Sequence, residues 1–216
     1  MRHIPLIVAM VLVVAACSLT NKFNKTGTSN SNSNSNSSST SSTGNPSKIG
    51  DDPVEKPAPT AAQTAALANG QEVKWDQQGI TWTLPANWKK QSVTNELFNY
   101  GSGDGAFLIV SISSMAPDFP TDISLKAFHE AAKVREKNGQ VDELKWLELD
   151  SVRGVEFRES KPQMADDIRR LQWMTYRKFA GQTQLVNFIL SGASGDKFTK
   201  HEDELYAILF STKLVH

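Results

Sequence analysis

The chain has 216 residues, and its 23 Lys and Arg balance 23 Asp and Glu. That balance excludes the single-sign field with which a protein gathers nucleic acid. Cys17 is the one cysteine, so no internal disulfide forms, and an exported domain of this chain relies on its core alone.

The N-terminus has the three parts of an export signal. Arg2 is a weakly basic start, Ile4 to Ala16 is an unbroken apolar run, and the small residues Ala15 and Ala16 precede Cys17. The run is short of the about 20 apolar residues that span a bilayer. A cleaved signal over residues 1–16 is therefore expected, not a permanent transmembrane helix.

Val14-Ala15-Ala16-Cys17 resembles the lipobox of bacterial lipoproteins, with Val14 where that family most often has Leu. The resemblance implies that Cys17 becomes the mature N-terminus, carrying a diacylglycerol thioether and usually an N-acyl chain such as palmitate. Two or three chains hold a protein stably on a membrane, at about 0.8 kcal/mol per buried methylene. The alternative is an ordinary signal peptide with an incidental cysteine. Ser18 resembles lipoproteins sorted to the outer membrane in a two-membrane cell. The expected location is therefore the cell membrane or the outer membrane, on the exported side.

Residues 17–70 read as a lipidated start and a disordered tether. Asn24 to Ser47 has no aliphatic or aromatic side chain, so it cannot bury apolar area to offset its ordering entropy. "DDPVEKPAPT" continues as a Pro-rich, semi-extended piece. Ala61 to Gly70 is a candidate short helix. Roughly 50 flexible residues have a root-mean-square span of about 40 Å, enough to hold a domain off a bilayer yet near it.

Residues 71–216 read as one domain with one core. Ile80, Trp82 and Leu84 alternate with Thr81 and Thr83, a half-buried strand that Pro85 ends. Ala106 to Ser114 is a second strand. "DISLKAFHEAAKVREKNG" is a helix, with Ser124 as candidate N-cap, Leu125, Phe128, Ala131 and Ala132 at helical spacing, and Gly139 as its stop. "ELKWLELDS" and "VRGVEFRES" are strands joined at Asp150-Ser151. Asp167 to Gly192 is a long hairpin turning at Ala180-Gly181-Gln182. A closing helix follows, with Asp196 as candidate cap and Phe198, Leu205, Ile208 and Leu209 as its apolar stripe. Runs of strands favour an antiparallel sheet, hence an α+β fold.

This order, with "GITWTLPANW" and Trp88 three residues after Pro85, and a terminal "LYAILFS", resembles the PsbP-like superfamily. That group includes lumenal extrinsic proteins of photosystem II and DcrB-like bacterial lipoproteins. The resemblance implies an antiparallel β-sheet flanked by helices, an α-β-α sandwich, in a protein that acts as an accessory or binding component. It carries no catalytic residue onto this chain.

Four stretches invite a chemical reading. His201-Glu202-Asp203-Glu204 lacks the second histidine of a zincin, since Leu205 stands there. It reads as a solvated helix face whose acids complement the helix dipole. His129 lies in the other helix, as a surface or partly packed residue. Gly101 to Gly105, "GSGDG", lacks the Lys-Ser/Thr of a phosphate loop and precedes a strand, so it reads as a turn. In "GASGD", Asp196 stands where a nucleophile elbow needs Gly, which leaves Ser194 a loop or cap residue. Arg169, Arg170, Arg177 and Lys178, beside Trp173 and Tyr176, read as a solvated sheet face, with a contact surface for an anionic polymer or protein as the alternative. The five tryptophans, at 75, 82, 88, 146 and 173, read mostly as core.

The sequence therefore points to a membrane-anchored, non-enzymatic interaction module of the cell envelope. No catalytic residue, cofactor or metal is expected, and no nucleic acid; the partners are the membrane and an unidentified envelope protein. An envelope hydrolase or metal-dependent enzyme and a small-ligand carrier are the alternatives.

Overall fold

The computed structural model describes residues 53–164 and 166–215. The expected signal, Cys17 and the Asn/Ser tract lie outside the described residues. In chain order the elements are β1 (Val54–Glu55), α1 (Ala61–Ala66), β2 (Gln71–Trp75), β3 (Ile80–Leu84), β4 (Lys89–Val93), β5 (Leu97–Gly101) and β6 (Ala106–Met115). Then come α2 (Thr121–Lys137), β7 (Val141–Leu149), β8 (Val152–Glu159), β9 (Arg170–Phe179), β10 (Gln182–Gly192), α3 (Gly195–Phe210) and β11 (Lys213–Leu214). A short 3-10 turn, Asp76–Gln78, joins β2 to β3.

Eight strands form one sheet in the order β1-β7-β8-β9-β10-β6-β5-β4, and β11-β3-β2 form a smaller one. Neighbours in the large sheet are antiparallel except β1, which runs parallel to β7. Strand alternation makes two cores. Leu171 and Trp173 of β9, Val186, Phe188 and Leu190 of β10, and Leu108 and Val110 of β6 pack with α3 and the small sheet. Val155 and Phe157 of β8, Trp146 of β7, and Met174 and Tyr176 of β9 pack beneath Leu125 and Ala132 of α2. The result is the α-β-α sandwich of an α+β protein.

The turns follow from local chemistry. Asp150 and Ser151 both take positive φ (46° and 69°), as do Ala180 and Gly181 (49° and 77°), the two-residue geometry that matches the strand twist of a tight hairpin. Gly154 of β8 serves a close approach, since a Cβ there would meet the Trp173 indole at 2.4 Å.

Three boundaries differ from expectation. Ordered pairing begins before Gln71, since Val54 and Glu55 pair with Trp146 and Leu147; α1 lies within the candidate helix Ala61 to Gly70 and opens with a reciprocal cap between Thr60 and Gln63. Thr-x-x-Gln is a capping-box signal, and backbone pairing on a sheet edge needs little apolar sequence. Second, α2 starts at Thr121, because the Ser124 backbone N–H already reaches the Pro120 carbonyl at 3.0 Å, a full helical bond. Third, Ser194 caps α3 by accepting from the Lys197 N–H, which leaves Asp196 in the first turn.

Candidate functional site

The two most site-like motifs meet in space and hold each other. Asp104, from the "GSGDG" turn, lies 3.1 Å from His201 Nε2 and 2.5 Å from Lys200 Nζ, and accepts from the Ser102 hydroxyl at 2.9 Å. His201 Nδ1 lies 3.5 Å from Glu204, whose other oxygen accepts the Trp88 indole N–H. Hydrogen bonds from Lys200 and Ser102 hold the Asp104 carboxyl well below the usual carboxylate range. The turn reading of "GSGDG" therefore stands. The solvated-face reading of "HEDE" is corrected: His201 is 7% exposed, because 198, 201, 205 and 208 share the buried stripe of α3. His129 is buried instead against Trp146, with ring centroids 4.6 Å apart and planes 12° off parallel. It sits on α2, across the large sheet from His201, so the two histidines share no site. Ser194 is a helix cap.

The four basic residues do not form one solvated face. Arg169 is buried, donating to Asp142 at 2.5 Å and to the Glu159 carbonyl at 2.7 Å, and Arg170 meets the Glu159 carboxylate at 3.2 Å. Next to them, Arg158 reaches Asp142, Glu202 and Glu143 at 2.7, 2.6 and 3.2 Å. Lys145 contacts Glu143 at 2.6 Å and the fully buried Glu156 at 3.2 Å. Burial pushes the Glu156 carboxyl up to about 7 against the opposing pull of Lys145. The Tyr206 hydroxyl donates to Glu143 at 2.7 Å, and burial raises its titration far above the ordinary range. Sequence reasoning missed this network because its members come from β7, β8, β9 and α3. Its one local signal is Glu156 set inside the apolar run Val155-Glu156-Phe157.

At the other end of β9, Arg177 and Lys178 part company. Alternation turns Arg177 toward the small sheet, where it donates to the Gln78 carbonyl and to Gln184 Oε1 at 3.2 Å. It is 7% exposed, has no carboxylate within 4 Å among the described residues, and leaves Nη1 without a hydrogen-bond partner. Burial pulls its titration down to about 10, so it is still charged at neutral pH.

Lys178 and Tyr176 face α2. With Thr121, Asp122 and Leu125 of α2, Trp146 of β7, and Arg153 of β8, they line a cleft of about 510 Å³. A smaller hollow of about 310 Å³, walled by Phe119 and Thr183, adjoins it across Tyr176 and Lys178. The Arg153 guanidinium lies 3.9 Å over the Trp146 ring, and its buried Nε has no hydrogen-bond partner. Tyr176 stacks on Phe128 at 6.3 Å and meets the Phe119 ring at a tilt, 5.3 Å away. Lys178 is exposed and makes no ion pair among the described residues, and neither does Asp122. A cleft of this size, with an apolar floor and a few polar groups at its mouth, matches a small-molecule site. Arg153 and Asp122 carried no motif; the register that follows the Asp150-Ser151 turn is what places Arg153 there.

No protein-family model and no curated protein matches the chain. Among solved structures, it is similar to cyanobacterial PsbP from Synechocystis, at 15% identity over 68% of this chain and 92% of that one, with a TM-score of 0.44. It is similar to LpqN of Mycobacterium tuberculosis, involved in cell envelope biogenesis, at 11% identity over 68% and 91%, with a TM-score of 0.47. A third is the Saccharomyces cerevisiae Ran-binding protein Mog1p, at 13% identity over 68% and 96%, with a TM-score of 0.40. Likenesses at this level assign the chain neither a site nor an activity.

Proposed function

We propose that this chain is a lipid-anchored accessory module of the cell envelope, non-enzymatic, and acting by binding. The observation that carries the reading is Val14-Ala15-Ala16-Cys17 behind a short apolar run and ahead of a long Asn/Ser tract. An anchored domain on such a tether gains partner encounters through local concentration rather than added contact. The histidines and acids that drew attention in sequence are engaged in structural contacts: His201 with Asp104 and Glu204, Glu202 with Arg158, and His129 against Trp146. That supports binding over catalysis. Mass spectrometry of the mature N-terminus tests the anchor. An acylated Cys17, lost in Cys17→Ser, is expected; an unmodified chain starting elsewhere overturns it. The cleft beneath α2 supports a second reading, a small-ligand carrier tethered to the membrane.

A further inference from the structure

We propose that the cleft between the α2 N-terminus and the end of β9 binds a small organic oxyanion, a carboxylate or phosphate ester carried on an apolar body. The inference rests on the binding part of the reading above and is independent of the anchor. Three observations converge. Arg153 lies over Trp146 at the cleft wall, half-buried, and its guanidinium makes no ion pair within 4 Å among the described residues, so its charge is open to an anion. Lys178 stands at the same cleft and makes no ion pair within 4 Å among the described residues, so it is available to a ligand. The first turn of α2 contributes Thr121 and Asp122 to the cleft wall; the Thr121 N–H donates to the Phe119 carbonyl at 2.8 Å, and the N-cap, Pro120, offers no side-chain acceptor to the N–H groups that follow it. Those groups and the helix dipole favour negative charge. Leu125 and Tyr176 supply an apolar floor, which inorganic ions do not need and an organic body does. Asp122 sets selectivity: its carboxylate repels a second negative group, so the ligand is a single oxyanion on a small body.

The other charged groups among the described residues lack this combination. The ion pairs around Arg158 are satisfied by their neighbours, and Arg177, which also contributes to the cleft wall, is held by Gln78 and Gln184.

Calorimetric titration of the full chain in a neutral detergent, with phenyl phosphate, benzoate and benzyl alcohol as probes, tests the proposal. One or both anions should bind at about 1 mM or tighter, weaken as salt rises, and leave benzyl alcohol behind by about tenfold. The tighter of the two tells phosphate from carboxylate recognition. Lys178→Ala should weaken binding about tenfold, and Asp122→Asn should tighten it about threefold, because it removes a like charge from the cleft. Neither residue has an ion-pair partner among the described residues, so Lys178→Ala should keep the parent thermal midpoint, and Asp122→Asn, which gives up a favourable charge at the start of α2, should lower it only slightly. Arg153→Ala should also weaken binding, but it strips the face of Trp146 and is read only beside the other two. Anions binding no better than benzyl alcohol, or affinity unmoved by either Lys178→Ala or Asp122→Asn, overturns the proposal. Such a failure leaves acylation at Cys17 untouched, and a missing acyl group leaves the cleft result untouched.

Discussion

The two ends of β9 carry the same kind of residue and treat it in opposite ways. At the start, Arg169 and Arg170 are met by Asp142 and Glu159, and the neighbouring Arg158 and Lys145 by Glu143, Glu156 and Glu202. At the finish, Arg177 is buried on neutral acceptors and Lys178 stands unpaired over the cleft. The first end is a closed account of charge, in which each cation has its acid. The second is open, and an open cation beside a cleft is available to something outside the fold. Equal totals of basic and acidic residues conceal this, because neutrality of the whole chain says nothing about neutrality at either end.

Trp88→Ala gives the scale against which both ends are measured. Trp88 is 1% exposed and hydrogen-bonded to Glu204, so its loss opens a cavity and strips a carboxylate of its donor. Chemical denaturation should show a loss of about 3–5 kcal/mol. Arg169→Ala comes next, at about 2 kcal/mol, because it removes charge-assisted bonds to the Glu159 carbonyl and to Asp142, which keeps Arg158 as its other donor. A loss below about 1 kcal/mol would mean that the closed end is held by packing and that its ion pairs are incidental.

The closed end should also set the pH dependence of stability. Glu156 has a carboxyl near 4.5 when unfolded and near 7 when buried. Its raised value means that the folded chain holds the proton more tightly. The stability it contributes is fully present below about pH 4.5 and is lost as pH rises through about 7. Glu143 is lowered and acts in the opposite direction, but its contribution falls away only at acid pH; Lys145 is raised and titrates in the alkaline range. The thermal midpoint should therefore decline between about pH 5 and 8, and Glu156→Gln should flatten that decline. A parallel decline in the variant would place its origin elsewhere.

Strands β3 and β6 to β10, both long helices and the hairpin turns at Asp150-Ser151 and Ala180-Gly181 were legible in sequence, since periods of two and near four and paired turn residues are local signals; β2, β4 and β5, whose residues alternate weakly, were not read. Trp75, Trp82, Trp88, Trp146 and Trp173 are all buried, as their size suggested. What escaped was non-local. The short strands β1 and β11 exist only because a partner strand waits for them, and nothing in Val54-Glu55 alone announces a pairing with Trp146-Leu147. The charge network and the cleft escaped for the same reason. Arg169, Arg170, Arg177 and Lys178 look like one patch in sequence. Strand length separates the first pair from the second, and alternation then separates Arg177 from Lys178.

Arg177→Ala should cost less than Arg169→Ala, about 1 kcal/mol. It gives up the bonds to Gln78 and Gln184 but also relieves a buried charge that no carboxylate compensates. Equal losses for the two arginines, measured by denaturant unfolding, would break the contrast between the ends.

The smallest effect is the most discriminating. Lys178→Ala removes an exposed ammonium with no ion-pair partner among the described residues, so the unfolding free energy should move by no more than about 0.5 kcal/mol. If Lys178 instead offsets Asp122 across the cleft, the variant loses stability, and Asp122→Asn loses a similar amount. The double variant would then cost less than the sum of the two, the signature of coupled neighbours. That cycle would show the second end of β9 to be closed like the first, by one long-range pair. Additive, near-zero effects would leave Lys178 free, with its charge directed at the cleft rather than at the fold.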